Sequence, residues 1–297
     1  MASSSSLRIA VLGVGKIGST FAFQLSRSGN HDVTVVARPG SERLKQLQRD
    51  KGIVNIKGER AEVRVTDALD EQTPYDLVIV TMPAYQVDAV LPALRRSAAQ
   101  CIQFMLVTFQ PERLREAVGA ERCSFGMPFV QALFVGDGKL KATINAAQKT
   151  IMSRSRWVEV FNAAGVPAAV EPDMPLWLRC HVPLCVAFES ASVAGERRRG
   201  GASWGEAVVL ARGVRESYAL IKGLGHEIYP QAKARLSGAP TWVLAGILCL
   251  VSRMKSMREL LATGERECRA LVDVMAAAAP LAKPGVRLPK ILAMKPV

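Results

Sequence analysis

Histidine is scarce: the 297-residue chain has only His31, His181 and His226. Its six cysteines, Cys101, Cys123, Cys180, Cys185, Cys249 and Cys268, are scattered and form no C-x-x-C pair. Zinc sites need clustered Cys and His, so no metal site is expected. Scattered thiols without a disulfide framework fit a reducing compartment, and a cytoplasmic location is expected. Aromatic residues make up 6%, and there is neither a long Lys/Arg run nor a nucleic-acid-binding motif. Specific nucleic-acid recognition is therefore not expected, although the net charge is +13. The densest basic cluster, residues 196–201 (ERRRGG), reads as a solvated loop. No apolar run is long enough to span a bilayer; the longest late one, residues 242–251, reads as a buried helix. The opening MASSSS lacks the apolar region of a signal peptide. No internal repeat is present.

What is present is a strand–turn–helix–strand unit over residues 7–38. Ile9-Ala10-Val11-Leu12 is short, apolar and β-prone, as a buried parallel strand is. It runs into Gly13-Val14-Gly15-Lys16-Ile17-Gly18, a G-x-G-x-x-G, followed by a helical stretch over 19–28 and a second strand over 32–37. This is the context in which the motif binds a dinucleotide. Gly13 allows the tight turn, Gly15 removes a side chain where a pyrophosphate approaches, and Gly18 permits close helix packing. The helix N-terminus offers free N–H groups to the phosphates. Lys16 points outward or touches phosphate.

The end of the second strand reads the cofactor. A site for NAD(H) usually places Asp or Glu there to hold the ribose hydroxyls. This chain has Ala37-Arg38-Pro39-Gly40-Ser41, with Arg43 and Lys45 soon after. Arg38 would pair with a 2′-phosphate, so NADP(H) is the expected cofactor; the plainer reading of Arg38 is a surface arginine.

A helix over 41–50 and extended segments around Lys57-Gly58 come next. Strands are expected over 75–81 and 101–108, helices over 87–96 and, after Phe109-Gln110-Pro111-Glu112, through Val118, and further strands over 123–135 and 139–145 about a Gly136-Asp137-Gly138 turn. Residues 152–164 read as helix and 170–175 as a hinge. Helices then dominate, over 176–194, 204–224, 242–254 and 258–279, before a tail with four prolines that reads as extended. The fold class is thus α/β: a Rossmann-type doubly wound domain, residues 1–170, followed by an all-helical domain, residues 171–297. Ligands of such sheets bind beyond the carboxyl ends of the strands, which singles out the loops at 13–18, 38–41, 81–86 and 109–112.

The order of these motifs resembles the ketopantoate reductase family, within the wider 6-phosphogluconate dehydrogenase-like group. The resemblance runs almost end to end. It is carried by residues 13–18, Arg38, residues 76–81 with Ala84-Tyr85-Gln86-Val87, Leu176-Trp177, Glu265 in ATGERECRAL, and Gly285-Val286 with Pro289. It implies NADPH-dependent reduction of the ketone of an α-keto acid. The expected cofactor contacts are Gly13, Val14, Gly15, Lys16, Ile17, Gly18, Arg38, Met82, Pro83, Gln86 and Gln110. A homodimer is expected, and residues 242–254 read as core or as a dimer face.

The resemblance also exposes departures. The family's proton-donating lysine falls at Pro83, which cannot donate. Its Asn-Gly pair falls at Thr108-Phe109-Gln110-Pro111, where Gln110 could replace the amide. Lys and Asn positions on the first helix of the second domain read Arg179, Pro183 and Ala187. Arg179 keeps a cation and suggests an anionic small-molecule substrate, but it does not readily give up a proton. His181 is the best remaining donor, against a structural histidine. Tyr85 is the second, against a packing role. Glu265 reads equally as a substrate-contacting or a salt-bridged glutamate, and Glu189 as a cleft carboxylate or a helix-end ion pair. The leading reading is an NADP(H)-dependent reductase of a small carbonyl or imine compound other than ketopantoate. The alternative is a repurposed fold that catalyses a cyclisation or isomerisation, or senses NADP(H).

Overall fold

The computed structural model describes residues 6–261, 264–283 and 285–296. The polar stretch at 1–5 lies outside them, as do positions 262–263 within the helix expected over 258–279. The chain divides into two compact units. One holds the described residues up to Leu106 with Glu112–Met174, the other Val107–Pro111 and the described residues from Pro175 on.

The first unit opens with β1 (Arg8–Leu12), α1 (Lys16–Arg27), β2 (Asp32–Val36) and α2 (Glu42–Arg49). An antiparallel ribbon, β3 (Ile53–Val54) and β4 (Arg60–Ala61), turns at Lys57-Gly58 before β5 (Arg64–Thr66). Then come β6 (Leu77–Val80), α3 (Ala84–Val87), α4 (Leu91–Arg96), β7 (Ile102–Met105), α5 (Pro111–Val118) and β8 (Cys123–Met127). A hairpin of β9 (Gln131–Val135) and β10 (Lys139–Thr143) precedes β11 (Thr150–Met152), α6 (Ser155–Ala163) and β12 (Ala168–Val170).

Eight strands form the main sheet in the order β12-β11-β8-β7-β6-β1-β2-β5. All neighbours are parallel except β11 with β8. Strand periodicity explains the core. Ile9, Val11, Leu77 and Ile79 share one buried cluster with Phe21 and Leu25 of α1 and Trp157 and Phe161 of α6. The alternate residues Ala10, Leu12, Val78 and Val80 are just as buried, so both faces are covered and the strands are apolar throughout. β1 lies between β2 and β6, so the chain leaves it in opposite directions across the sheet. That switch point brings the loops after β1, β2 and β6 to one end.

Several elements differ from the sequence reading. The helix expected over 87–96 is broken into α3 and α4; Pro92 lacks an N–H and sits in the first turn of α4, where it starts a helix. The strand expected to 108 stops at Met105, and Val107–Pro111 joins the second unit. Residues 150–152 are a strand, with Met152 paired to Gly126 and Val170, and the helix begins only at Ser155.

The second unit contains α7 (Met174–Arg198), α8 (Trp204–Gly223), α9 (Gln231–Gly238), α10 (Thr241–Arg253), α11 (Lys255–Leu261), α12 (Glu265–Ala278), a 3-10 turn (Ala279–Leu281) and α13 (Leu288–Leu292). α8 starts at a reciprocal capping box: Glu206 N–H donates to Ser203 Oγ at 3.2 Å, and Ser203 N–H to Glu206 Oε2 at 2.7 Å. α10 runs antiparallel to α8. Arg215 of α8 reaches Thr241 Oγ1 at one end, and Ala202 N–H donates to Ser252 Oγ at the other. The sequence reading omits α9. The C-terminal stretch is not an extended tail: Ile291 and Met294 are fully buried, and Ser190 Oγ donates to the Met294 carbonyl at 2.8 Å. Nor is the run at 242–251 simply buried, since Trp242 and Leu250 face solvent. The basic cluster at 196–201 is partly helical and ion-paired, through Arg258–Glu196, Arg197–Glu265 and Arg198–Glu206. All six cysteines are free. Among the described residues no single helix is long and apolar enough to cross a membrane.

Candidate functional site

At the carboxyl end of the parallel strands the first unit has a cavity of about 460 Å³. Seven of the expected cofactor contacts line it: Gly13, Val14, Gly15, Arg38, Met82, Pro83 and Gln86. Gly13 adopts φ +90°, a left-handed turn that carries the chain off β1. Its N–H donates to Val36 O at 3.3 Å, and its carbonyl accepts from Thr81 Oγ1 at 2.6 Å. The loop is thereby tied to the ends of both β2 and β6.

The other two glycines act through space. A Cβ at Gly15 would meet no atom within 4 Å and would project into an open cradle. A Cβ at Gly18 would collide with the Gly13 carbonyl and lie 2.6 Å from Thr81 Oγ1. Gly15 caps α1 without a side-chain hydrogen bond, and no acidic residue occupies the first turn. The first N–H groups of α1 are thus left for a ligand's phosphates. A glycine cradle at an uncapped helix start fits the pyrophosphate of a dinucleotide, and Arg38 is exposed nearby.

Four expected contacts do not line the cavity. Lys16 is exposed on the first turn of α1, Ile17 packs against the core, and Gly18 lies beneath the loop. Gln110 belongs to the second unit, where its N–H donates to Thr108 Oγ1 at 3.2 Å. Tyr85 is an exposed residue of α3 whose hydroxyl accepts from Gln86 Nε2 at 2.9 Å.

Arg43 is the residue sequence reasoning underrated. Its Nε donates to Val14 O at 3.2 Å, and its two terminal nitrogens to Ser19 Oγ at 2.8 Å and Gln46 Oε1 at 2.6 Å. Its guanidinium lies 4.3 Å from the centre of the Phe134 ring on the hairpin. Burial brings its pKa down to about 10, with Asp50 opposing. Arg43 therefore ties the glycine loop, α1, α2 and the hairpin together on one wall of the cavity. Its position in the first turn of α2, five residues past Arg38, is the available signal. Phe134, some 120 residues from the fingerprint, carries none.

The remaining expected residues fall in the second unit. Arg179 is buried on α7; its Nε donates to Phe109 O at 3.1 Å, and Nη1 lies 2.9 Å from His226 Nε2. A guanidinium only donates, so that imidazole nitrogen accepts. His181 stacks on Trp177 with ring centres 4.6 Å apart. The residue is half-buried; desolvation, and then the charge of Lys233, pull its pKa down to about 3. A neutral imidazole is a poor proton donor at neutral pH, which counts against His181 in that role. Lys233 of α9, absent from the sequence reading, is buried against the same indole: its Nζ is 3.6 Å from the ring centre and donates to Trp177 O at 2.9 Å.

Glu265 stands apart from this group. It opens α12 and pairs with Arg269 at 3.1 Å and Arg197 at 3.7 Å. Arg197 lies eighteen residues along α7 from Arg179, about 27 Å of helix. Glu265 therefore takes the ion-pair role. Glu189 takes neither role expected of it: its two oxygens accept from Cys185 Sγ at 3.3 Å and Cys268 Sγ at 3.0 Å inside the unit. A separate cavity of about 580 Å³ between α7, α8 and the C-terminal residues is mostly apolar, with its Arg198 paired to Glu206. Among the described residues no group of His, Cys, Asp and Glu could hold a metal ion.

A parallel sheet in this order, with a glycine-rich turn feeding α1, defines the Rossmann-type class of α/β proteins. More narrowly, the chain belongs to the ketopantoate reductase family: residues 9–155 match the family described as ketopantoate reductase PanE/ApbA. Solved structures agree on the fold. A PanE/ApbA family ketopantoate reductase from Ralstonia eutropha JMP134 is 17% identical, with 97% of this chain and 96% of that one covered and a TM-score of 0.74. A probable 2-dehydropantoate 2-reductase from Bacillus subtilis is 19% identical over 97% and 98% of the two chains, TM-score 0.67. A D-mandelate dehydrogenase in complex with NADH is 14% identical over 96% and 95%, TM-score 0.71. No curated protein sequence matches the chain.

Proposed function

We propose that this protein is an NADP(H)-dependent reductase that acts on a small carbonyl or imine compound other than ketopantoate. Family membership supports the coarser part, a reductase that uses a nicotinamide dinucleotide. The single observation that carries the finer part is the cavity wall: the Gly13–Gly15 cradle shares it with Arg38, whose exposed guanidinium has no ion-pair partner among the described residues. An exposed cation at the end of β2 favours a 2′-phosphate over a bare ribose. The bound cofactor supplies a hydride; the chain's own residues hold its phosphates at the start of α1.

Pro83 sets the limit on the substrate. It lines the cavity at the position where the family resemblance implies a lysine, and it has no proton to give. General acid help is worth roughly 10²–10⁴-fold, so a ketone that needs it would react poorly. An imine can arrive already protonated. Pro83 equally favours a second reading, a dinucleotide-binding fold that performs no hydride transfer.

The test begins with fluorescence titration by NADPH and NADH. NADPH should bind more tightly, and Arg38→Ala should weaken NADPH by about 10–100-fold with little effect on NADH, the loss of a charge-assisted hydrogen bond. Equal binding of the two cofactors would refute the NADP(H) preference. Loss of reduced-nicotinamide absorbance with a panel of carbonyl and imine compounds tests the chemistry. Tight NADPH binding with no turnover across the panel would favour the second reading.

A further inference from the structure

α10 presents an apolar face that lines neither of the two cavities. At 100° per residue, Trp242, Ile247, Leu250 and Arg253 fall within an arc of about 140°. Leu244, Ala245, Leu248, Cys249 and Ser252 occupy the opposite arc and are buried. Trp242 and Leu250 are each 65% exposed, and Ile247 and Met254 are exposed as well. Single exposed apolar residues are ordinary, but several along one face of one helix form a stripe. Basic residues flank it in sequence, of which Arg258 is paired with Glu196. Between Glu227 and Glu259 there is no Asp or Glu, whereas Lys233, Arg235, Arg253, Lys255 and Arg258 fall there. Arg235, Arg253 and Lys255 are exposed, and Arg215 of α8 reaches Thr241 beside Trp242. From residue 175 to the end the sequence has eighteen Lys and Arg against nine Asp and Glu.

We propose that this face of α10 docks on an anionic lipid bilayer surface. Trp242 and Leu250 enter the boundary between headgroups and acyl chains, and the flanking arginines and Lys255 meet lipid phosphates. The charge argues for this occupant over a second copy of the chain. A two-fold interface would set Arg253 and its basic neighbours against their own equivalents, with no acid within α10 to offset them. The attachment is peripheral, and it is independent of the reductase reading.

The test is co-sedimentation of the full-length protein with vesicles of phosphatidylcholine alone or mixed with phosphatidylglycerol. Binding is expected only to the anionic vesicles and should fade at high salt. Trp242→Ser and Leu250→Ser should each weaken it by about tenfold or more, with the circular-dichroism melt unchanged because both side chains are exposed. A chain that ignores anionic vesicles, binds both compositions alike, or binds as well with both residues replaced would overturn the proposal. So would a stable dimer in sedimentation velocity that Leu250→Asp dissociates and vesicles do not shift, since the face would then belong to a second copy.

Discussion

The ammonium of Lys233 lies 3.6 Å from the centre of the Trp177 ring and donates to the Trp177 carbonyl at 2.9 Å. One residue thus supplies both a π face and a carbonyl to a buried cation, and the imidazole of His181 stacks on the same indole. Lys233→Met keeps the aliphatic stem and removes the charge. The unfolding free energy should fall by about 1–3 kcal/mol, from the lost hydrogen bond and cation–π contact. The His181 titration, followed by NMR, should move up toward the ordinary histidine range without reaching it, because burial is the larger cause of its depression. An unmoved titration would show that the ammonium exerts no field on the ring.

His181 also gives stability a defined pH dependence. Its pKa is near 6.5 in the unfolded chain and is drawn down to about 3 in the folded one. Between those values the unfolded chain binds the extra proton, so acid favours unfolding. The contribution of neutral His181 is complete above 6.5 and is lost as pH falls toward 3, at up to about 1.4 kcal/mol per pH unit. His181→Phe retains a ring against Trp177 and removes the titration, so urea unfolding should become flatter across that window. Kinetics checks the same point. A fall in kcat/KM as pH rises above about 6.5 that disappears in His181→Phe would return His181 to the role of proton donor.

Gly15 and Gly18 belong to one motif but should fail in different ways. Gly15 has an ordinary backbone conformation and open space where a side chain would go. Gly15→Val should therefore leave the thermal melt nearly unchanged and weaken NADPH by tenfold or more, by filling the cradle. Gly18→Ala has no room beneath Gly13 and Thr81, and should destabilise the fold by about 1–3 kcal/mol. If Gly15→Val bound NADPH normally, the phosphates would have to lie elsewhere.

These contrasts also mark what was legible in the sequence. The β1–α1–β2 unit could be read because its signals are local: an apolar run, three glycines at fixed spacing, and a strand end at Arg38. The apolar strands and their alternation with helices gave the Rossmann-type sheet for the same reason. Three-residue strands such as β11 carry too little pattern to separate from the helix that follows. The short α9 disappeared between prolines, and with it Lys233, whose meaning comes from an indole 56 residues away. Arg179 and Glu265 were grouped by family resemblance, yet the length of α7 keeps them apart. Arg43 was visible only as a nearby basic residue, because its partners lie on α1, α2 and the hairpin at once. The tail looked extended from its prolines, while the burial of Met294 is decided by packing against α7.

Glu189 supplies the last expectation. Each of its oxygens accepts from a thiol, Cys185 on one side and Cys268 on the other, and a side chain at Gly264 would collide with it. Burial raises its pKa, and the two thiol hydrogen bonds pull only partly the other way. The folded chain therefore holds this proton at a pH where the unfolded chain has released it. The resulting stability is present below the ordinary carboxylate range and is lost as pH rises through that range to the folded value. Glu189→Gln removes the ionisation, so its stability relative to wild type should improve as pH rises from acid to neutral. Cys268→Ala should do the reverse, costing about 1–3 kcal/mol at neutral pH as a buried oxygen loses its donor. Thermal melts of both variants at acid and neutral pH give the comparison. If Glu189→Gln is less stable than wild type by the same margin at every pH, the carboxylate is content in its ionised form and burial does not control it.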